Sequence, residues 1–284
     1  MRYRPFGKSG QIVSAVSLLL DSGHRRSARD WRSLVASAMG HGVNCFELVG
    51  SGQALVDGFG EAVADVEREL LFVAWRPAAF TAEPADQVEA FLARTGLDYL
   101  DLLDFEFALP QAEALARLRQ ARRISGLCLS TDDEETDAQV ARGGFHALSA
   151  VFTPLSGWKE RNRIKAAAAR DMAVIARDIW PEPMRPGAAS PGGRPLFRRK
   201  PDPLTSLVGG FRFLENTAGW TAEELCLAYV LTEPAITTVM VEVEGAQHLA
   251  RLAEAPDRDL PTGVAAQIEM ARFSPVDGRG AARG

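Results

Sequence analysis

Tyrosine, histidine and cysteine are all scarce here: 284 residues hold three Tyr, four His and three Cys. The cysteines, Cys45, Cys128 and Cys226, stand singly inside apolar segments. That spacing argues against a disulfide framework and a thiolate zinc site, and suits buried thiols in a reducing compartment. His24, His41, His146 and His248 are equally scattered, so no metal-ligand pattern is present and no metal is expected. No apolar run of about 18 residues occurs, which excludes a membrane-spanning helix. The opening MRYRPFGKSG lacks the apolar stretch of a secretion signal, and a cytoplasmic location is expected. A net charge of −5 argues against nucleic acid as the main partner, because phosphate neutralisation needs clustered Lys and Arg.

What is abundant is apolar material, 46 % of residues against 24 % charged, enough for a large core. One domain is expected over residues 1–271, since α/β barrels commonly reach this length as a single unit. A Pro/Gly-rich segment, 181–205, carries a local charge of +3 from Arg185, Arg194, Arg198, Arg199 and Lys200 against Glu182 and Asp202. It lacks periodicity and reads as a long loop suited to contacting a protein partner. The tail, 272–284, is small, polar and Gly-rich, and reads as frayed.

Between these limits short apolar runs alternate with amphipathic helical ones. The runs are Val16–Leu20, Val43–Leu48, Leu71–Trp75, Tyr99–Phe105, Gly126–Ser130, Ala147–Phe152, Met172–Arg177 and Thr237–Val243. Helical patterns include Asp30–Met39, Ala85–Arg94, Ala112–Arg122, Glu135–Arg142, Ile164–Arg170, Ala222–Thr232 and Gln247–Ala255. Nearly continuous apolar runs suit strands covered on both faces. Eight such units predict an α/β fold, a (β/α)8 TIM barrel, with chemistry at the C-terminal ends of the strands. Glu47, Arg76 and Glu106 follow three successive strands, so closure would bring them together as a functional cluster or a structural ion-pair plug.

Several segments also resemble the aldo-keto reductases. YRPFGKSGQIVSAV is similar to that family's Y-R-x-L-G-x-S-G-L-x-V-S-x-L, an N-terminal hairpin that closes the barrel bottom. FELVGSGQALVDGFGEAV lies without a gap on F-D-T-A-x-x-Y-G-x-S-E-x-x-L-G-x-A-L. LFVAWRP resembles V-F-I-A-T-K-V, and LDYLDLLDFEFAL resembles D-Y-I-D-L-Y-Q-L-H-W. GWTAEELCLAYVLTEPAITTVM resembles G-W-S-x-x-E-L-A-L-x-W-V-L-x-x-P-x-V-T-S-V-I.

The resemblance implies carbonyl reduction by four rim side chains, and the matching positions here all differ. Glu47 stands for the aspartate, Gly52 for the tyrosine acid, Arg76 for the lysine and Glu106 for the histidine. Some relatives that reduce steroid double bonds also carry glutamate in place of the histidine. Gly52 has no proton to give, and Tyr3, Tyr99 and Tyr229 lie in a hairpin, at a strand start and in a helix, away from the rim. Arginine stays protonated and cannot shuttle a proton. These differences imply a catalytically inactive barrel.

The resemblance further implies a nicotinamide site from Ser130, Thr131, Ser149, Arg177 and Asp178, with a last loop over Val241–Gln247. Ser149 is shorter than the family's glutamine, and Leu19 and Leu20 replace a Gly-Thr close to the ring. Glu242 and Glu244 would oppose a 2′-phosphate by about 1–3 kcal/mol and accept from a 2′-hydroxyl, which favours NAD(H) over NADP(H). Gln247 and His248 begin the last of these helices, near the expected adenosine. The lost catalytic groups and Ala/Arg-rich composition are similar in character to KidO-like members, NAD(H)-binding regulators of bacterial division that act on FtsZ and a histidine kinase. The alternative is an active enzyme in which Glu47 or Glu106 supplies the proton.

Two glycine pairs, in 50–52 and 58–60, lack dinucleotide or P-loop spacing and read as turn and helix-packing residues. The acidic run Asp132 to Glu135 reads as a helix N-terminus, and His41 as a helix C-cap.

Overall fold

The computed structural model describes residues 1–80, 83–105, 112–181 and 211–273. Glu106, the 182–205 segment and residues 274–284 therefore lie outside the described residues.

Strands β1 (Tyr3–Pro5) and β2 (Ile12–Ser14) form an antiparallel hairpin. Eight parallel strands then close a barrel: β3 (Val16–Asp21), β4 (Cys45–Val49), β5 (Phe72–Arg76), β6 (Leu100–Phe105), β7 (Ile124–Leu129), β8 (Ala147–Val151), β9 (Ala173–Arg177) and β10 (Thr238–Val241). The order is sequential, and β10 pairs with both β9 and β3. All eight expected strands are present, with ends shifted by one or two residues. The (β/α)8 barrel with an N-terminal hairpin is the fold.

The described helices are α1 (Ala28–Gly40), α2 (Gln53–Val63), α3 (Pro84–Thr95), α4 (Ala112–Gln120), α5 (Glu134–Arg142), α6 (Trp158–Ala168), α7 (Ala222–Val230), α8 (Ala246–Glu254) and α9 (Val264–Phe273). Helix α6 starts six residues before the expected Ile164. Its first turn, Trp158-Lys-Glu-Arg, shows no apolar period, and Glu160 fixes the start by accepting from the Gly157 N–H at 2.8 Å. Helix α9 was not anticipated. Val264 and Ile268 anchor it to the core, and it continues through Arg272 and Phe273, the first two residues read as frayed tail.

Alternation along the strands sorts the core into two parts. One set, including Phe46, Leu48, Trp75 and Phe105, packs under the helices. The other fills the barrel axis: Cys45, Phe72, Ala74, Leu102, Cys128, Ala147, Ala173, Ile175 and Met240, stoppered by Phe6 and Val13 from the hairpin. Gly58 and Gly60 are packing glycines as expected. A Cβ on Gly58 would lie 2.3 Å from the Ala28 carbonyl oxygen, and one on Gly60 would lie 2.8 Å from that of Thr95.

Below the axis layer Asp101 ties β5 to β6. It accepts from Arg68 Nη2 at 2.7 Å, the Val73 N–H at 2.8 Å and Gln11 Nε2 at 2.6 Å.

Candidate functional site

Glu47 shares the inward parity of Cys45 on β4, Arg76 that of Phe72 and Ala74 on β5, and Asp104 that of Leu102 on β6. At the top of the barrel these three meet. Arg76 Nη2 lies 2.6 Å from Glu47 Oε1, and Arg76 Nε lies 3.8 Å from Asp104 Oδ2. Ser130, just past β7, donates to Asp104, its Oγ 2.6 Å from both carboxylate oxygens. Two carboxyls, 2 % and 1 % exposed, thus share one guanidinium among the described residues.

Burial, and then the Asp104 charge, push the Glu47 carboxyl up to about 8, with Arg76 pulling the other way. At neutral pH Glu47 therefore keeps its proton, and the Glu47/Asp104 pair carries one negative charge against Arg76. Burial with the same two carboxyls pushes the Cys128 thiol well above its ordinary value, which removes it as a nucleophile at neutral pH.

The turn after β4 is closed against β3. Gly52 caps α2 without a side chain, and a Cβ there would lie 3.0 Å from Ser22 Cβ. Gly50 takes φ 75°, and a Cβ on it would meet Ser22 Oγ at 2.3 Å. The backbone is pinned by Gly50 N–H to the Arg76 carbonyl at 2.8 Å, Trp75 Nε1 to the Gly50 carbonyl at 2.7 Å and Arg94 Nη1 to the Ser51 carbonyl at 3.1 Å.

Beside this cluster a cleft of about 1020 Å³ opens at the ends of β3, β9 and β10, with Leu19 and Arg76 on its wall. Arg177 lines it too, with Nη1 2.9 Å from Asp178 Oδ2 and Nη2 in close contact with Asp132. Asp132 is also within reach of Arg163 Nη1, at 3.4 Å, and accepts from the Val151 N–H. Of the acidic run, Asp133 caps α5 by accepting from the Thr136 N–H at 2.9 Å, whereas Asp132 serves the rim.

The loop between β10 and α8 lines the same cleft through Glu242 and Glu244. His24 Nε2 contacts the Glu242 carboxylate, and Arg26 Nη2 donates to the carbonyls of Val243 at 2.6 Å and Glu244 at 3.0 Å. His248 is held by Glu223 Oε2, 2.8 Å from its Nε2. Gln247 is exposed and stands outside the lining.

The expected cofactor contacts on β7 and β8 divide differently from the sequence reading. Ser130 is committed to Asp104, and Thr131 Oγ1 is 2.7 Å from Thr136 Oγ1. Ser149 is fully buried, and its Oγ has no hydrogen-bond partner among the described residues. Leu20 is fully buried beneath the helices rather than facing the cleft.

A model of the Aldo/keto reductase family matches residues 25–272. The chain belongs to this family. No curated protein matches it. Members usually bind nicotinamide cofactors, and the aldo-keto reductase barrel places Glu47, Arg76 and the turn at Gly52 at the end of the barrel where the cleft opens.

Asp104, Ser22, His24, Arg26 and Asp132 were missed from sequence. Asp104 was recoverable: it lies on a strand already assigned and shares the inward parity of Leu102. Ser22 and the two basic residues carry no such signal, since they meet β4 and the last loop only through barrel closure. Among the described residues no group of three or more His, Cys, Asp or Glu is arranged to hold a metal, and no helix is long and apolar enough to cross a membrane.

Proposed function

We propose that this barrel is a dinucleotide-binding regulatory module that has lost its family's carbonyl reduction. The turn at position 52 carries the reading. Where the resemblance calls for a tyrosine acid there is glycine, and Ser22 Cβ lies 3.0 Å from where a side chain would begin. Arg76 cannot replace the lysine as a proton shuttle, and its neighbours bind it as a charge-balancing group.

A nicotinamide dinucleotide fits what remains. The cleft volume is of the order such ligands occupy, and the buried Ser149 hydroxyl has no hydrogen-bond partner among the described residues. Ser149 would hold the carboxamide end, with Ser130 and Thr131 contributing through the capacity left by their own bonds. Arg177, with Asp178, would flank the ring. When bound in reduced form the cofactor supplies a transferable hydride. Glu242 and Glu244 favour a free 2′-hydroxyl and hence NAD(H), although the His24 contact offsets part of the Glu242 charge.

The occupied barrel would then signal to protein partners. Likeness to the KidO-like branch nominates FtsZ and a histidine kinase in a bacterial cytoplasm.

One observation favours a second reading, an active oxidoreductase, lyase or isomerase: Glu47 holds its proton at neutral pH and lies against Arg76, which is on the cleft wall. Fluorescence titration with NADH and NADPH, followed by turnover assays on aldehydes, quinones and enones, separates the two. Tighter NADH binding with no turnover is expected. Turnover that Glu47→Gln abolishes would establish the second reading, and absence of dinucleotide binding would sink the first. A pull-down of FtsZ and the kinase with and without NADH tests the partners.

A further inference from the structure

The opposite end of the barrel carries a second feature, independent of any dinucleotide. A shallow groove of about 760 Å³ runs between Ser9 and Gln11 of the hairpin turn, Tyr99 before β6, and Arg119, Gln120 and Arg122 at the end of α4. Arg119 and Arg122 are exposed, as is Lys8 beside the turn. None of the three has a carboxylate within ion-pair distance among the described residues, whereas the adjacent Arg123 is 2.9 Å from Glu89. Asp101, which accepts from the lining residue Gln11, is also paired with Arg68. Burial, then the Arg119 and Lys8 charges, hold the His146 imidazole below its ordinary value.

Arg122 is the sharper clue. It takes φ 56°, the left-handed conformation that ends a helix and favours glycine. After α3 and α5 the positive-φ residues are Gly96 and Gly143. After α4 it is an arginine, kept there at a conformational cost. Helix-dipole stabilisation does not account for it, because Arg117 and Arg119 already fill the last turn.

We propose that this groove docks an acidic, extended peptide segment of a protein partner. Unpaired cations supply the charge complement, Gln120 and Ser125 offer hydrogen bonds to a backbone, and Tyr99 gives an apolar edge. A chain of net charge −5 with two arginines lining one groove and Lys8 next to its Ser9 suits a short acidic peptide better than a nucleic acid.

The test is fluorescence anisotropy of the full chain with a fluorescein-labelled octaglutamate peptide, with octaglutamine and phosphatidylserine vesicles as comparisons. Saturable octaglutamate binding that weakens with salt is expected, lost by about fivefold or more in Arg119→Glu and Arg122→Glu. Arg122→Gly separates binding from folding: it relieves the left-handed residue, so thermal stability should hold or rise while affinity falls. Unchanged affinity in Arg122→Gly, equal binding of octaglutamine, or binding of vesicles without binding of peptide would each overturn the proposal.

Discussion

At the residue scale the governing fact is a charge imbalance. Two buried carboxyls face one arginine, and burying the surplus charge costs more than keeping a proton. Glu47 therefore titrates above the ordinary glutamate value, up to about 8 in the fold. The sign of the linkage follows. A folded-state pKa above the unfolded one gives stability that is full at low pH, declines as pH rises past the ordinary range, and is gone above about 8. Glu47→Gln removes this dependence. Urea denaturation at pH 5 and pH 9 should show the wild type losing a few kcal/mol more than the variant between the two. Equal losses would mean that Glu47 is ionised in the fold.

At the scale of elements, the β4 to α2 unit keeps the packing of the family's barrel around a turn that carries glycine at position 52. Its helix packs through glycines, and at Gly58 a methyl would meet both the Ala28 carbonyl and Trp31 Cβ, the latter at 2.7 Å. Gly58→Ala should cost about 1–3 kcal/mol by forcing α1 and α2 apart, despite alanine's better helix propensity. Chemical denaturation measures this, and a neutral or stabilising result would show the interface to be compliant. The same unit shows what sequence could convey. The Gly-rich turn and amphipathic helix were legible from Gly50 to Val63, because they depend on local conformation. The closing of Ser22 over Gly52 was not, because it joins the turns that follow two different strands.

At the scale of the molecule, two polar layers bracket the apolar barrel axis: Glu47, Arg76 and Asp104 above, Arg68 and Asp101 below. The lower layer is fully bonded, since Asp101 accepts from a guanidinium, a backbone N–H and a carboxamide while fully buried. Asp101→Ala would leave Arg68 uncompensated, at 11 % side-chain exposure, and should destabilise the chain by about 3–5 kcal/mol. A thermal-unfolding scan checks this, and Arg68→Met combined with Asp101→Leu should recover part of the loss. If the single variant unfolds like the wild type, the pair contributes little to closure.

Sequence by itself determined the fold, because eight apolar runs spaced by amphipathic ones leave few ways to bury both faces of each strand. It also determined that Glu47 and Arg76 would meet and that Gly52 has no proton to give, since strand parity and side-chain identity are local properties. Only the tertiary structure decided the rest. Closing the ring brought Asp104 to Arg76, set Ser130 to hold it, carried His24 and Arg26 to the acidic loop after β10, and left the Ser149 hydroxyl without a partner among the described residues. Each of these depends on which strands become neighbours and on the depth to which a side chain is buried. Burial then fixes whether a carboxyl keeps its proton, because the cost of an unbalanced charge is set by the water removed from around it.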